Sequence, residues 1–115
     1  MSAEFHTRFN QIARFKHLTE VALPALAREQ HWPIRLDHCF KRICLDATFN
    51  DVWYNHLPRP AERHLSGESL SRAIACAEAI LAEGRPTLDL RNADSLRFRG
   101  KSHPTRRSTQ EPARA

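Results

Sequence analysis

Asp37-His38-Cys39-Phe40-Lys41-Arg42-Ile43-Cys44-Leu45-Asp46 decides the fold, because its apolar and its polar residues both recur at a helical period. At about 100° per residue, Leu36, Cys39, Phe40, Ile43 and Ala47 form one apolar face, while Leu45 and Phe49 project from nearly the opposite side. A helix with hydrocarbon on two sides is packed on two sides. His38, Arg42 and Asp46 follow one another at i, i+4 and i+8, so they make one polar row between those surfaces. Polar side chains in such a place must be paired or must face a cleft. The row is therefore the first candidate site.

Working outward, the flanking sequence is helical almost throughout. Ser2 is placed to cap a first helix in which Phe5, Phe9, Ile12 and Phe15 share a core-facing stripe. Thr19 is a second cap candidate, for Glu20 to Gln30, with a break or kink expected at Pro24, which cannot donate the intrahelical bond. His31-Trp32-Pro33 reads as a connection. Asp37 is the expected N-cap of the central helix, and Asn50, which accepts left-handed geometry, its expected end. Val52 to Leu57 suggests a short helix before Pro58 and Pro60.

The clearest helix follows. Ser66 offers a cap, Glu68 suits the first turn, and Leu70, Ala73, Ile74, Ala77, Ile80 and Leu81 recur on one side until Gly84 and Pro86 end it. A last short segment starts near Thr87, with Leu88 and Leu96 as core residues. Leu96-Arg97-Phe98-Arg99-Gly100-Lys101 alternates apolar and basic residues, which fits either a helix end with cations near its negative pole or a short extended piece. The expected architecture is all-α, a single bundle of about four to five helices over residues 1–101.

Size and charge narrow the function classes. A chain of 115 residues, 41% of them hydrophobic, suits one domain burying about 60 to 68% of its unfolded surface. The longest apolar run is far short of the ~18 residues a membrane span needs, and the first residues lack the pattern of a secretory leader. Three cysteines without paired spacing fit a reducing compartment. A cytoplasmic protein without membrane association is expected. The formal charge of +5 is unevenly spread. Residues 1–95 hold twelve Lys and Arg against twelve Asp and Glu, whereas residues 96–115 hold six basic residues against Glu111 alone. Residues 102–115 are polar and Pro-containing, too poor in apolar surface to offset the entropy of ordering them, and are expected to be a disordered basic tail.

Several chemistries are disfavoured. A phosphate-cradling loop needs clustered glycines, whereas Gly67, Gly84 and Gly100 are isolated. No metal centre or cofactor is expected, since no ligand pair has supporting spacing; a set drawn from His38, Asp46, His56 and His64 is the remaining metal arrangement. Cys39, in a first helical turn, is the nucleophile candidate because the dipole there favours thiolate, although its neighbours Phe40 and Ile43 suit a small buried hydrophobe equally well. Cys44 and Cys76 read as packing residues. His38 is the candidate proton acceptor.

Arg42 is the stronger functional residue, its planar fork matching a carboxylate or phosphate. The competing reading is an internal clamp in which Arg42 and Asp46 pair with each other. Trp53, Tyr54, Arg59 and Arg63 interleave rings with cations, which suits a flat ligand or, more simply, closure of the bundle end. Arg97, Arg99, Lys101, Arg106 and Arg107 would carry any affinity for nucleic acid.

The pattern Asp37-His38-Cys39-Phe40-x-Arg42-Ile43-x-x-Asp46, with Trp53, Pro58, Leu70 and Ser95-Leu96-Arg97-x-Arg99-Gly100-Lys101, resembles a group of short bacterial and fungal helical proteins to which an acetyltransferase label is sometimes attached. The resemblance spans most of residues 32–101 and carries no functional residue with it. The loop that common acetyltransferases use for the pyrophosphate of coenzyme A is not visible here. The residues therefore suggest a small binding or regulatory module whose partner is a protein or an anionic small molecule. The alternatives are a small enzyme built on His38, Arg42 and Asp46, or a nucleic-acid accessory protein acting through its basic end.

Overall fold

Helix α1 (Ala3–His17) runs into a five-residue π-helical segment (Leu18–Ala22) and on into α2 (Leu23–Gln30). The structure is a computed structural model describing residues 3–100, with side chains described from Thr7 onward. Ser2, the Phe5 side chain, Lys101 and the whole tail expected at 102–115 lie outside the described residues. Pro24 does not end the helix. The Leu23 amide reaches back to the Leu18 carbonyl, five residues earlier, and this wider turn makes room for the proline ring, so the backbone stays helical through it. Thr19 is not a cap either: it is buried, and its hydroxyl donates to the Phe15 carbonyl at 2.9 Å.

After His31, left-handed at φ 59°, the chain crosses to α3 (Asp37–Phe49). Leu36, and not Asp37, occupies the cap position, while the Asp37 carboxylate accepts from the neighbouring His38 amide. Asn50 closes α3 in the left-handed conformation at φ 54°. A 3-10 turn (Trp53–Asn55) and the one-turn helix α4 (Ala61–His64) fill the stretch before α5 (Gly67–Glu83). Ser66 caps α5 by accepting from the Ser69 amide at 3.0 Å. Gly84, at φ 81°, ends α5 and begins α6 (Arg85–Phe98) in a single residue, a backbone conformation that favours glycine. Helix α6 thus starts earlier and runs longer than its sequence suggested, and it settles Leu96 to Phe98 as helix.

Five helices of eight residues or more enclose one core, and no strand occurs among the described residues. Phe15, Leu18, Leu23, Phe40, Ile43, Leu70, Ile80 and Leu88 are fully buried, each contributing about 1.5–3 kcal/mol by removal from water. Helix α3 lies centrally, in contact with α5 on one side and α6 on another, which is the two-sided packing its residues required. Two stripe residues nonetheless face solvent. Leu36, at the cap position ahead of α3, is 58% exposed, and Phe9, on α1, 64%.

Candidate functional site

Asp46 is the centre of the site. It is fully buried on α3, and a buried carboxylate must find donors for both oxygens. Oδ2 accepts from Ser95 Oγ at 2.6 Å and Arg99 Nε at 2.8 Å; Oδ1 accepts from Arg99 Nη2 at 3.1 Å and the Trp53 amide at 3.0 Å. The Arg99 contact is the two-pronged geometry in which a guanidinium and a carboxylate match best. It holds the Arg99 charge more firmly than usual: the hydrogen bond to Asp46 raises its pKa above the normal arginine value, more than partial burial lowers it.

Arg42 does not pair with Asp46. Their spacing allows an ion pair, but Ser95 stands between them: Arg42 Nη1 donates to Ser95 Oγ at 2.7 Å, and Ser95 in turn donates to Asp46. Arg42 Nη2 donates to Asn92 Oδ1 at 2.9 Å. The hydroxyl thus uses its one proton on the carboxylate and offers a lone pair to the arginine, so every hydrogen bond in the chain has a consistent direction. Arg42 retains N–H groups beyond the two so engaged.

Three members of the expected row therefore have three different environments. His38 is 75% exposed in its side chain and lies 3.7 Å from Asp37; Arg42 is half-buried; Asp46 is sealed. The row faces a cleft at one end and is paired at the other. A groove of about 420 Å³ opens beside it, lined by His38, Lys41, Arg42, Trp53, Tyr54, Arg59 and Arg99 among others. Arg59 lies over both rings, 5.3 Å from the Trp53 centroid and 5.2 Å from that of Tyr54, and Arg99 lies 5.3 Å from Tyr54 on its own account. Trp53 also packs on the core, whereas Tyr54 is largely exposed.

The charges on this surface are unequally matched. Lys41 bridges Glu20 at 2.5 Å and Glu62 at 3.3 Å. Partial burial pulls its ammonium down, but the two carboxylates outweigh that and leave its pKa raised. Arg99 is matched by Asp46. Among the described residues neither Arg42 nor Arg59 has a carboxylate within ion-pair distance. The groove therefore carries two unneutralised guanidinium groups beside aromatic rings. Its far wall is fixed by Arg8 of α1, whose guanidinium donates to the carbonyls of Leu65 at 2.6 Å and Arg63 at 3.0 Å and so closes the C-terminal end of α4.

The other candidates divide. Cys39 is half-buried in the first turn of α3 with its amide bonded to the Leu36 carbonyl at 3.0 Å, and no base is hydrogen-bonded to it among the described residues. His56 stacks on Phe49 at 4.9 Å and bonds Asp51, away from His38 and His64. No three His, Cys, Asp or Glu side chains converge on a metal-sized site among the described residues. Arg97 is held by Asp94 at 3.0 Å and rests on Phe98, so of the described basic residues near the C-terminal end it is Arg99 that joins the groove. Arg63 offers its carbonyl to Arg8 and does not line the groove. Lys101, Arg106 and Arg107 lie outside the described residues.

Ser95, Asn92 and Lys41 were not legible as site residues, though Ser95 alone breaks the apolar pattern at a buried position of α6. No helix of the described residues is long and apolar enough to cross a membrane. No family model, curated protein or solved structure matches this chain.

Proposed function

We propose that this protein is a binding module that takes an anionic group, a phosphate or a carboxylate, into the groove between α3, the Trp53–Asn55 turn and α4. The observation that carries the reading is the pair of guanidiniums, Arg42 and Arg59, left without carboxylate partners on a concave surface. Arg42 is already oriented by Ser95 and Asn92, so an arriving anion meets a group whose ordering entropy is largely spent. Arg59 is held against two rings, and the carboxylate that lines the groove, Glu62, is engaged by Lys41. The reading is one of binding and not of turnover. Asp46 is sealed from the groove and spends its oxygens on Ser95, Arg99 and the Trp53 amide, so it offers none to a bound molecule.

A free phosphate monoester and the phosphodiester of a single strand present the same chemistry to these arginines, and titration calorimetry separates them. Inorganic phosphate, a nucleoside monophosphate, benzoate and a short single-stranded oligonucleotide are the probes. Binding of at least one, weakened about tenfold or more by Arg59→Ala, is expected, since a charge-assisted hydrogen bond contributes about 1.5–3 kcal/mol. Tighter oligonucleotide binding that collapses with salt and on removal of residues 102–115 assigns the anion to a nucleic-acid backbone. Absence of binding to all four, or binding indifferent to Arg59→Ala, overturns the proposal.

A further inference from the structure

An inorganic anion would leave most of the groove beside α3 unused. Its volume of about 420 Å³ lies within the range of about 300–1,000 Å³ that encloses organic ligands, and a bare phosphate or carboxylate fills only a corner of such a space. Between the charged residues its wall is made by Leu45, Pro60 and Ala61, whose side chains offer no hydrogen bond. An occupant that fits the whole groove has an apolar body as well as a charge.

Arg59 sets the shape of that body. Trp53 and Tyr54 stand at 77° to each other with centroids 5.7 Å apart, and the Arg59 guanidinium lies 5.3 Å from the first centroid and 5.2 Å from the second. A planar group can lie parallel to only one of two rings so inclined and meets the other with its edge, so the double contact fixes its plane. Arg59 is nonetheless exposed, which leaves the face turned away from the rings open. Such a face is itself a surface on which a flat π-system stacks. Arg99 also lies over Tyr54, but it is committed to Asp46. Arg42 meets an occupant differently: Ser95 and Asn92 hold it by two of its N–H groups, and the others remain for the oxygens of an anion.

We propose, and this rests on the anion-binding role above, that the groove takes a flat aromatic acid, an arene bearing one phosphate or carboxylate, with its ring stacked on Arg59 and its anionic group on Arg42. A saturated ring of similar size would cover the same apolar wall but has no π-face for the guanidinium. Lysine at position 59 would keep the charge and lose the plane. Flatness and charge are thus read by two different arginines, and each can be removed without the other.

Titration calorimetry on the full chain with phenyl phosphate and cyclohexyl phosphate tests this, because the two share a head and differ in flatness. Phenyl phosphate is expected to bind about fivefold or more tighter, as ring–cation attraction supplies, whereas removal of hydrocarbon from water alone favours the cyclohexyl ester. Arg59→Lys, a change at an exposed position, should bring that ratio below about twofold and leave cyclohexyl phosphate within about threefold of its wild-type affinity. Benzoate and cyclohexanecarboxylate repeat the comparison with the other head; the tighter-binding pair identifies the head and is the one in which the flat member must lead. Equal or tighter binding of the saturated member of that pair overturns the inference and leaves the anion-binding role standing. A preference undiminished in Arg59→Lys overturns it as well, since the ring then stacks elsewhere. Failure of all four compounds to bind while inorganic phosphate still does has the same meaning, and failure of every anion ends both proposals.

Discussion

The α1–α5 and α3–α6 contacts join helices in the same small core by opposite means. Between α1 and α5 the polar interactions sit at the rim: Gln11 reaches Ser71 at 2.9 Å, and Arg14 meets Glu78 at 3.0 Å with both side chains about half exposed, 49% and 48%. Between α3 and α6 a carboxylate is fully enclosed and four donors converge on it. Water substitutes for the first kind of contact when it is lost. It cannot reach the second, so there the loss of one partner leaves the others unpaired in a low-dielectric interior.

The most severe way to test that contrast is Asp46→Ala. It should cost about 3–5 kcal/mol in a urea melt, because it strands the Arg99 guanidinium and the Ser95 hydroxyl; a loss below about 1 kcal/mol, the range of an exposed pair, would erase the distinction between the two contacts. Ser95→Ala comes next, at about 1–3 kcal/mol, since it leaves an Asp46 oxygen short of one donor and removes one of the two anchors of Arg42. Glu78→Gln, on the other interface, should shift the same melt by no more than about 1 kcal/mol.

The smallest expected effect is one of pH and concerns Asp51, which bridges the two environments by being exposed yet specifically bonded. The Val52 amide, at 2.7 Å, and the His56 ring, at 3.1 Å, hold its carboxyl below the ordinary aspartate value. A depressed folded-state pKa gives stability that is present above the unfolded value, about 3.9, and is lost as pH falls through the lower folded value. Asp51→Asn should therefore lower the melting temperature slightly at neutral pH and converge with wild type at the acid end, which flattens the acid limb of the profile. An acid limb identical to wild type removes Asp51 from the account.

What could be read from residue order was whatever neighbours in sequence determine. Helix α5 announces itself through Ser66, Gly84 and Pro86 because caps act on the adjacent turn. The polar row of α3 follows from its period, as does the end at Asn50. The partners of that row do not, since Ser95 and Arg99 lie 49 and 53 residues downstream of Asp46, and a spacing rule can propose only Arg42. The full length of α6 is hidden in the sequence for a related reason: it buries Ser95 and exposes Leu90, inverting the pattern by which a core-facing helix is recognised. Its hydroxyl is inside because Asp46 and Arg42 need it there. Trp53, Tyr54 and Arg59 were visible as rings among cations, but that Arg99 would stack on the same tyrosine depended on where α6 ends.

The widened turn at Leu18–Ala22 absorbs one residue more than a regular helical count. Winding the same residues into a regular spiral, without the bulge, would swing everything downstream in α2 by about 100°. Leu23 and Ala27 would rotate out of the interior, and Glu20 would lose its alignment with Lys41 at the margin of the groove. One surplus residue, lodged ahead of Pro24, thus keeps the amino-terminal third of the molecule in phase with the rest.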